Sequence, residues 1–202
     1  MTVVAVSKTV TAERLRAAVE AGLTTLGENR VQEAEAKVGA LPGVTWHLVG
    51  PLQSNKARRA LEVFDVTESV GSVELAVRLD RLAGETGRPH PLPILLQVNV
   101  DADPAKAGFG PKEMKGSLER LAALPRLEVR GLMTVGRLVE RPEDARPTFA
   151  ALRGLSETLR ASWSGLGPEL SMGMSDDYEV AIEEGATIVR VGRALFGERP
   201  TA

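Results

Sequence analysis

The feature that most narrows what this chain can fold into is a regular alternation. Short apolar runs trade places with helical patterns from one end of the chain to the other. Residues 3–8, 24–26, 44–49, 63–68, 94–100, 127–135, 169–172 and 188–191 read as strands. Helical patterns fill the intervals at 11–21, 30–38, 54 onward, 72–84, 111–124, 143–162 and 176–184. Thr11 and Ser72 stand where N-caps belong, Gly22 where a helix stops, and Pro111 in a first turn. Strands alternating with helices imply right-handed crossovers and a parallel sheet. Eight such units predict an α/β fold closed into a (β/α)8 TIM-type barrel, since a doubly wound open sheet would usually show fewer strands. No G-x-G-x-x-G follows the first strand, which removes the dinucleotide fingerprint. No internal repeat, low-complexity tract or linker interrupts the 202 residues, so residues 1–202 read as a single domain at the short end of the barrel range.

Charge and composition remove several function classes. A formal net charge of −2 argues against a nucleic-acid or polyanion binder. The absence of cysteine excludes disulfides, thiolate nucleophiles and cysteine-ligated metals. Two histidines, His47 and His90, make a multi-histidine metal site an unfavourable reading, so no metal is expected. The N-terminus has no basic segment followed by an apolar run and a small-residue cleavage site. The longest apolar-rich run, near 92–100, is broken by Gln97 and Asn99 and is far short of a membrane span. The expectation is a soluble cytoplasmic protein with no membrane partner.

In a barrel of this kind the chemistry gathers at the C-terminal ends of the strands. Those ends offer Lys8, Asn29, Gly50 with His47 below it, Asn99, Met133 or Thr134, Ser175, and Arg190 with Gly192. The first strand, V-V-A-V-S-K, climbs through apolar residues to Lys8. Desolvation there would disfavour the ammonium form, and a neutral amine in a sheltered mouth is what Schiff-base chemistry with an aldehyde requires. The period of two puts Lys8 on the face of Val4 and Val6, and Arg190 on the face of Ile188 and Gly192. An arginine inside a strand is expensive to bury without a partner. The segments G-M-S-D-D and V-G-R-A present backbone N–H groups and the Ser175 hydroxyl after strands seven and eight, the recurrent phosphate position of the fold. Ser175 would equally serve as an N-cap, and the two uses are compatible. A Schiff-base lysine, a phosphate cup and a buried arginine together suggest pyridoxal 5′-phosphate (PLP).

The chain resembles the pyridoxal phosphate homeostasis proteins, single-domain relatives of the alanine racemase N-terminal barrel. The matching segments are V-A-V-S-K-T at 4–9, G-E-N-R-V-Q-E at 27–33, W-H-L-V-G-P-L-Q-S-N-K at 46–56, R-G-L-M-T at 130–134, L-S-M-G-M-S-D-D at 170–177 and V-R-V-G-R-A-L-F-G at 189–197. The resemblance implies that Lys8 holds PLP as a Schiff base and that Arg190 faces the pyridine nitrogen, leaving the ring a weaker electron sink than a carboxylate would. It implies that Ser175, Gly192 and the backbone of Arg193 hold the phosphate, and that Asn29 and Met133 line the ring. Many members carry threonine where this chain has Arg193, so no side-chain hydroxyl is available there. Members also usually carry a helix ahead of the first strand. Here the chain starts almost at the strand, so a barrel without that helix, and less stable for it, is expected.

The function implied is a monomeric, non-catalytic protein that buffers PLP, delivers it to PLP-dependent apoenzymes and maintains vitamin B6 and amino-acid balance. The alternative is a PLP-dependent amino-acid racemase. Racemisation needs a base on each face of the cofactor, and in that lineage the second is a tyrosine from a β-domain. This chain has one tyrosine, Tyr178, and ends at residue 202. A cofactor-free Schiff-base aldolase would want carboxylate partners, and no clear carboxylate is read at the strand ends. Lys56, Arg58 and Arg59 read as a solvated helix face. Lys106, in the loop after strand five, is a candidate for passing on the aldehyde. His47 reads as a core histidine, and Trp46 as packing between barrel and helix.

Overall fold

The computed structural model describes residues 1–197. Its strands are β1 (Thr2–Val6), β2 (Thr25–Glu28), β3 (Thr45–Leu48), β4 (Val66–Val70), β5 (Leu92–Gln97), β6 (Leu127–Met133), β7 (Glu169–Ser171) and β8 (Ile188–Val191). Its helices are α1 (Ala12–Glu20), α2 (Val31–Val38), α3 (Ala57–Val63), α4 (Val73–Glu85), α5 (Pro111–Ala122), α6 (Arg146–Ser162), α7 (Tyr178–Glu183) and α8 (Arg193–Phe196). Short 3-10 turns, Ser54–Lys56 and Pro142–Ala145, lead into α3 and α6. The eight strands form one closed barrel in sequence order. Every neighbouring pair is parallel, and β1 closes on β8 with Val4 opposite Arg190. The expected (β/α)8 architecture is the observed one.

Thr11 and Ser72 cap α1 and α4 through their hydroxyls, which accept from the N–H of Arg14 and Leu75. The outer faces of the strands pack on the helices. Trp46, Leu26, Leu48 and Phe64 fill the shell on one side, and Phe109, Phe149, Leu79 and Leu152 fill it on the other. Trp46 therefore does pack between barrel and helices. Inside the bore a small apolar layer is made by Val4, Val49, Leu95, Met133 and Ile188. Its membership shows that Val4 and Ile188 point inward, as the period of two requires for Lys8 and Arg190.

Some strand limits depart from expectation. The fourth was expected at 63–68, yet Val63 still belongs to α3 and β4 runs Val66–Val70. The apolar V-F-D-V run straddles the helix end: Phe64 caps α3 and packs outward, while pairing starts at Val66. The first strand ends at Val6, and Lys8 lies in the turn beyond it. The fifth starts earlier than 94 and ends at Gln97, because Val98 and Asn99 turn to pair with Phe109 in the following loop.

At Gly131 the strands approach so closely that a Cβ would lie 1.9 Å from the Glu169 carbonyl oxygen. Backbone on both sides leaves nothing flexible to yield. Gly131→Ala is expected to destabilise the fold by about 3 kcal/mol or more, read from the urea midpoint. An unchanged midpoint would show that β6 and β7 can separate freely at this point.

Candidate functional site

Lys8 lies where β1 leaves the barrel, half-buried, in a tight turn. The next residue, Thr9, has φ of +66°, a left-handed conformation that is rare for a β-branched side chain. That conformation persists only if the surroundings over-determine it, and the structure shows a brace directly behind the turn. Ser7, fully buried, faces away from the bore and donates its hydroxyl to Glu28 Oε1 at 2.7 Å. Lys37, reaching in from α2, donates to the same oxygen at 2.6 Å and to the Ser7 carbonyl at 2.8 Å. Burial raises the Glu28 carboxyl above its ordinary value, against the opposing pull of Lys37 and Ser7. The strand residue before Lys8 is thus pinned by both its backbone carbonyl and its side chain.

On the opposite flank of β1, Lys8 and Val6 share a cavity of about 180 Å³ with Gly192, Arg193 and Phe196. Ser175 Oγ stands beside it and accepts from the N–H groups of Gly192 and Ala194, both at 3.3 Å. Two backbone donors thus converge on one oxygen, as they would on an anion. A Cβ at Gly192 would come within 3.3 Å of the Val6 carbonyl oxygen, so a side chain there would crowd β1. Arg193, which also lines this cavity, pairs its side chain with Asp176.

Arg190 points into the bore and is nearly fully buried. It donates to the Ser171 hydroxyl at 2.6 Å and to the Thr134 carbonyl at 2.7 Å. Ser171 passes its own proton to Glu68 Oε2 at 2.5 Å, and the other Glu68 oxygen meets His47 Nδ1 at 2.6 Å. β4 and β8 lie across the closed barrel from one another, so this chain of contacts spans the bore. Burial pushes the Arg190 guanidinium below its ordinary value, while Glu68 and Asp177 act to raise it. Burial works to raise Glu68, but the bond and charge of His47, the Arg190 charge and the Ser171 bond outweigh it, and the carboxyl ends below the usual range.

The other expected residues are distributed more widely. Met133 lies in the apolar layer of the bore with no exposed surface. Asn29 lines a different cavity of about 790 Å³, with Gln53 and Lys56. Arg58 and Arg59 reach Glu85 and Glu35, an exposed helix face as expected. Asn99 turns away to hold the carbonyls of Asp103 and Lys106. Lys106 donates to the Gly136 carbonyl at 2.5 Å, which ties the loop after β5 to the loop after β6. His47 is a buried histidine, bonded to Glu68.

Sequence reasoning missed Glu68, Ser171, Glu28 and Lys37. The expectation of no clear carboxylate at the strand ends needs correction, because Glu28 ends β2 and is fully buried; Glu68, in the middle of β4, is fully buried too. The signal was present in V-T-E-S-V, where an acid in a strand demands a partner, but the early placement of the fourth strand put Glu68 at its tip.

The sequence matches the family model described as alanine racemase, N-terminal domain, over residues 1–200. It is 42% identical over 195 residues to the pyridoxal phosphate homeostasis protein of Aquifex aeolicus, covering 96% of this chain and 85% of that protein. The PipY protein of Synechococcus elongatus PCC7942 superposes in its PLP-free structure with a TM-score of 0.92 at 46% identity, over 98% of this chain and 93% of that one. Its structure with PLP bound gives a TM-score of 0.90 at 44% identity, over 98% and 92%.

The brace behind Lys8 makes a prediction. Lys37→Met leaves Glu28 buried without its cation and is expected to lower stability by about 3 kcal/mol at neutral pH. A carboxyl whose folded pKa is raised favours the folded state below its unfolded value and loses that advantage as pH rises through the folded value. The deficit of Lys37→Met, measured by denaturant unfolding, should therefore shrink from about pH 8 to about pH 5. A deficit independent of pH would show that lost packing, not the unpaired Glu28, is responsible.

Proposed function

This chain belongs to the alanine racemase N-terminal-domain family, among the pyridoxal phosphate homeostasis proteins, and we propose that it binds PLP through Lys8 and holds it without turning over amino acids. The observation that carries this reading is that Lys8, Gly192 and Arg193 line one cavity, beside the point where two N–H groups converge on Ser175. Those features match the two ends of the cofactor. A lysine amine suits the aldehyde, and converging N–H donors with a serine hydroxyl suit the phosphate. A relative of this chain is known with PLP bound.

When bound, PLP supplies an aldehyde for covalent attachment and an electron-accepting ring. Lys8 would supply the amine, positioned by the Ser7–Glu28–Lys37 brace. Ser175, Gly192 and the Arg193 backbone would hold the phosphate. Arg190 would face the ring nitrogen as a cation, and a neighbour that cannot accept a proton keeps that nitrogen unprotonated. Met133 would support the ring from the apolar layer, and Asn29 would approach from the β2 side. The unit that would do this is the barrel formed by the described residues.

A buffering and delivery role is read from a site that would hold the cofactor while, among the described residues, neither Tyr178 nor His47 is offered as a second base. Tyr178 packs its ring against the core, and its hydroxyl lies 3.5 Å from the exposed Glu179. His47 is committed to Glu68. Neither is presented to a substrate, which disfavours the racemase reading. The partners of this role are PLP itself and the PLP-dependent apoenzymes that would receive it, met by a monomer in the cytoplasm. Among the described residues no helix is long and apolar enough to cross a membrane.

Purified protein loaded with PLP is expected to be yellow, and borohydride should fix the cofactor on the peptide containing Lys8. A label on another lysine would overturn the assignment. L-alanine should not be converted to D-alanine; sustained turnover would make the protein an enzyme. Ser175→Ala is expected to weaken PLP binding about tenfold through loss of one charge-assisted hydrogen bond, and unaltered affinity would remove Ser175 from the phosphate site.

A further inference from the structure

We propose that Glu68 is a positioning residue for the bound ring, acting through Ser171 to fix the Arg190 guanidinium as a charged donor of set orientation. The inference rests on the PLP-binding reading and adds to it a residue on the far side of the bore. Three observations carry it. The first is polarity. A serine hydroxyl has one proton, and Ser171 gives it to Glu68 at 2.5 Å, so that its lone pairs face Arg190 at 2.6 Å. Glu68 therefore dictates which way Ser171 points, and Ser171 fixes one nitrogen of the guanidinium while the Thr134 carbonyl fixes another.

The second is charge. Glu68 is fully buried and Arg190 is 5% exposed, so the two compensate each other in a medium that screens poorly. The titratable and charged groups that face this pair are few. His47 on β3 meets Glu68 directly. Glu169, at the start of β7, feels both His47 and Glu68, and its carboxyl is raised by burial. Asp177, just ahead of α7, acts on Arg190 from the mouth side. Of these acids, Glu68 alone is bonded to the serine that holds the guanidinium. The third is location. Glu68 reaches Arg190 across the bore from β4, whereas Lys8, Ser175 and Gly192 lie on the β1, β7 and β8 side. The path from Glu68 toward the cofactor runs through Ser171 and Arg190.

The consequence has a sign. Replacing Glu68 by glutamine removes one negative charge from the bore and leaves Arg190 less compensated. Protons carried by the cofactor and its lysine are then held less tightly, and the pH midpoint of the visible absorbance change falls, by about one unit. Ser171→Ala keeps both charges and removes only the link. It should displace the absorbance maximum while moving the midpoint less than Glu68→Gln does.

The experiment is a pH titration of the visible spectrum of wild type, Glu68→Gln, Glu68→Asp and Ser171→Ala, each loaded with PLP and fixed with borohydride in a parallel sample. The expected result is labelling at Lys8 in every folded variant. The midpoint should be lowered in Glu68→Gln and restored toward wild type in Glu68→Asp, with a displaced maximum in Ser171→Ala. Spectra and midpoints of loaded Glu68→Gln and Ser171→Ala that superpose on wild type would overturn the proposal. If Glu68→Gln does not fold, Ser171→Ala decides, and a wild-type spectrum in that variant overturns it. Wild-type protein that takes up no PLP would instead defeat the cofactor reading itself, a separate outcome.

Discussion

A guanidinium inside a closed barrel has to find its counter-charge inside the same barrel, because helices cover every other side. Arg190 meets that demand through Ser171 and Glu68, with His47 completing the carboxylate. The interior is thereby divided. One part is an apolar layer of Val4, Val49, Leu95, Met133 and Ile188, and the other is a polar ladder from β3 through β4 and β7 to β8. An all-apolar filling would be as stable or more so, since buried ion pairs rarely repay their desolvation. The retention of a charged ladder in the bore fits the proposed function, in which Arg190 is the cation that the cofactor ring would meet.

The second charged cluster lies on the other side of β1 and does a different job. Ser7 directly precedes Lys8 at the end of β1, so holding Ser7 restrains the turn that carries Lys8. Glu28 and Lys37 hold the Ser7 carbonyl and hydroxyl from the helix side, and the left-handed Thr9 then directs the chain toward α1. The turn that carries Lys8 is thus held from the helix side, and the Gly192–Ser175 contacts lie on its other flank. The Lys8 turn has the Glu28–Lys37 ion pair outside the sheet, and the barrel has the Arg190–Ser171–Glu68 ladder inside it.

The barrel was legible because each strand and helix announces its own period, and because eight alternations leave few topologies open. β8 was read at its observed limits, 188–191, since Gly185 closes the acidic helix ahead of it and Gly192 follows it. β4 was misplaced because its apolar run begins inside the preceding helix. The places of Lys8, Ser175, Gly192 and Arg190 at strand ends or inside a strand could be read from the sequence, and the cofactor roles proposed for them rest on the resemblance. The partners of Arg190 could not be read. Period-two parity places a residue on a face but says nothing of who stands across a bore, and Glu68 meets Ser171 over a separation of 103 residues. Lys37 was hidden for a related reason, since a lysine in a helix reads as solvated until the helix is docked against Glu28.

The central claim is that a single ligand is held at two ends, by an amine at Lys8 and by the N–H groups gathered at Ser175. The most direct measurement compares equilibrium binding of PLP with that of pyridoxal, which keeps the aldehyde and ring and lacks the phosphate. Two-ended binding predicts that pyridoxal binds at least about a hundredfold more weakly. Equal affinity for the two would contradict it, leaving Lys8 as an amine that captures aldehydes with no phosphate site beside it.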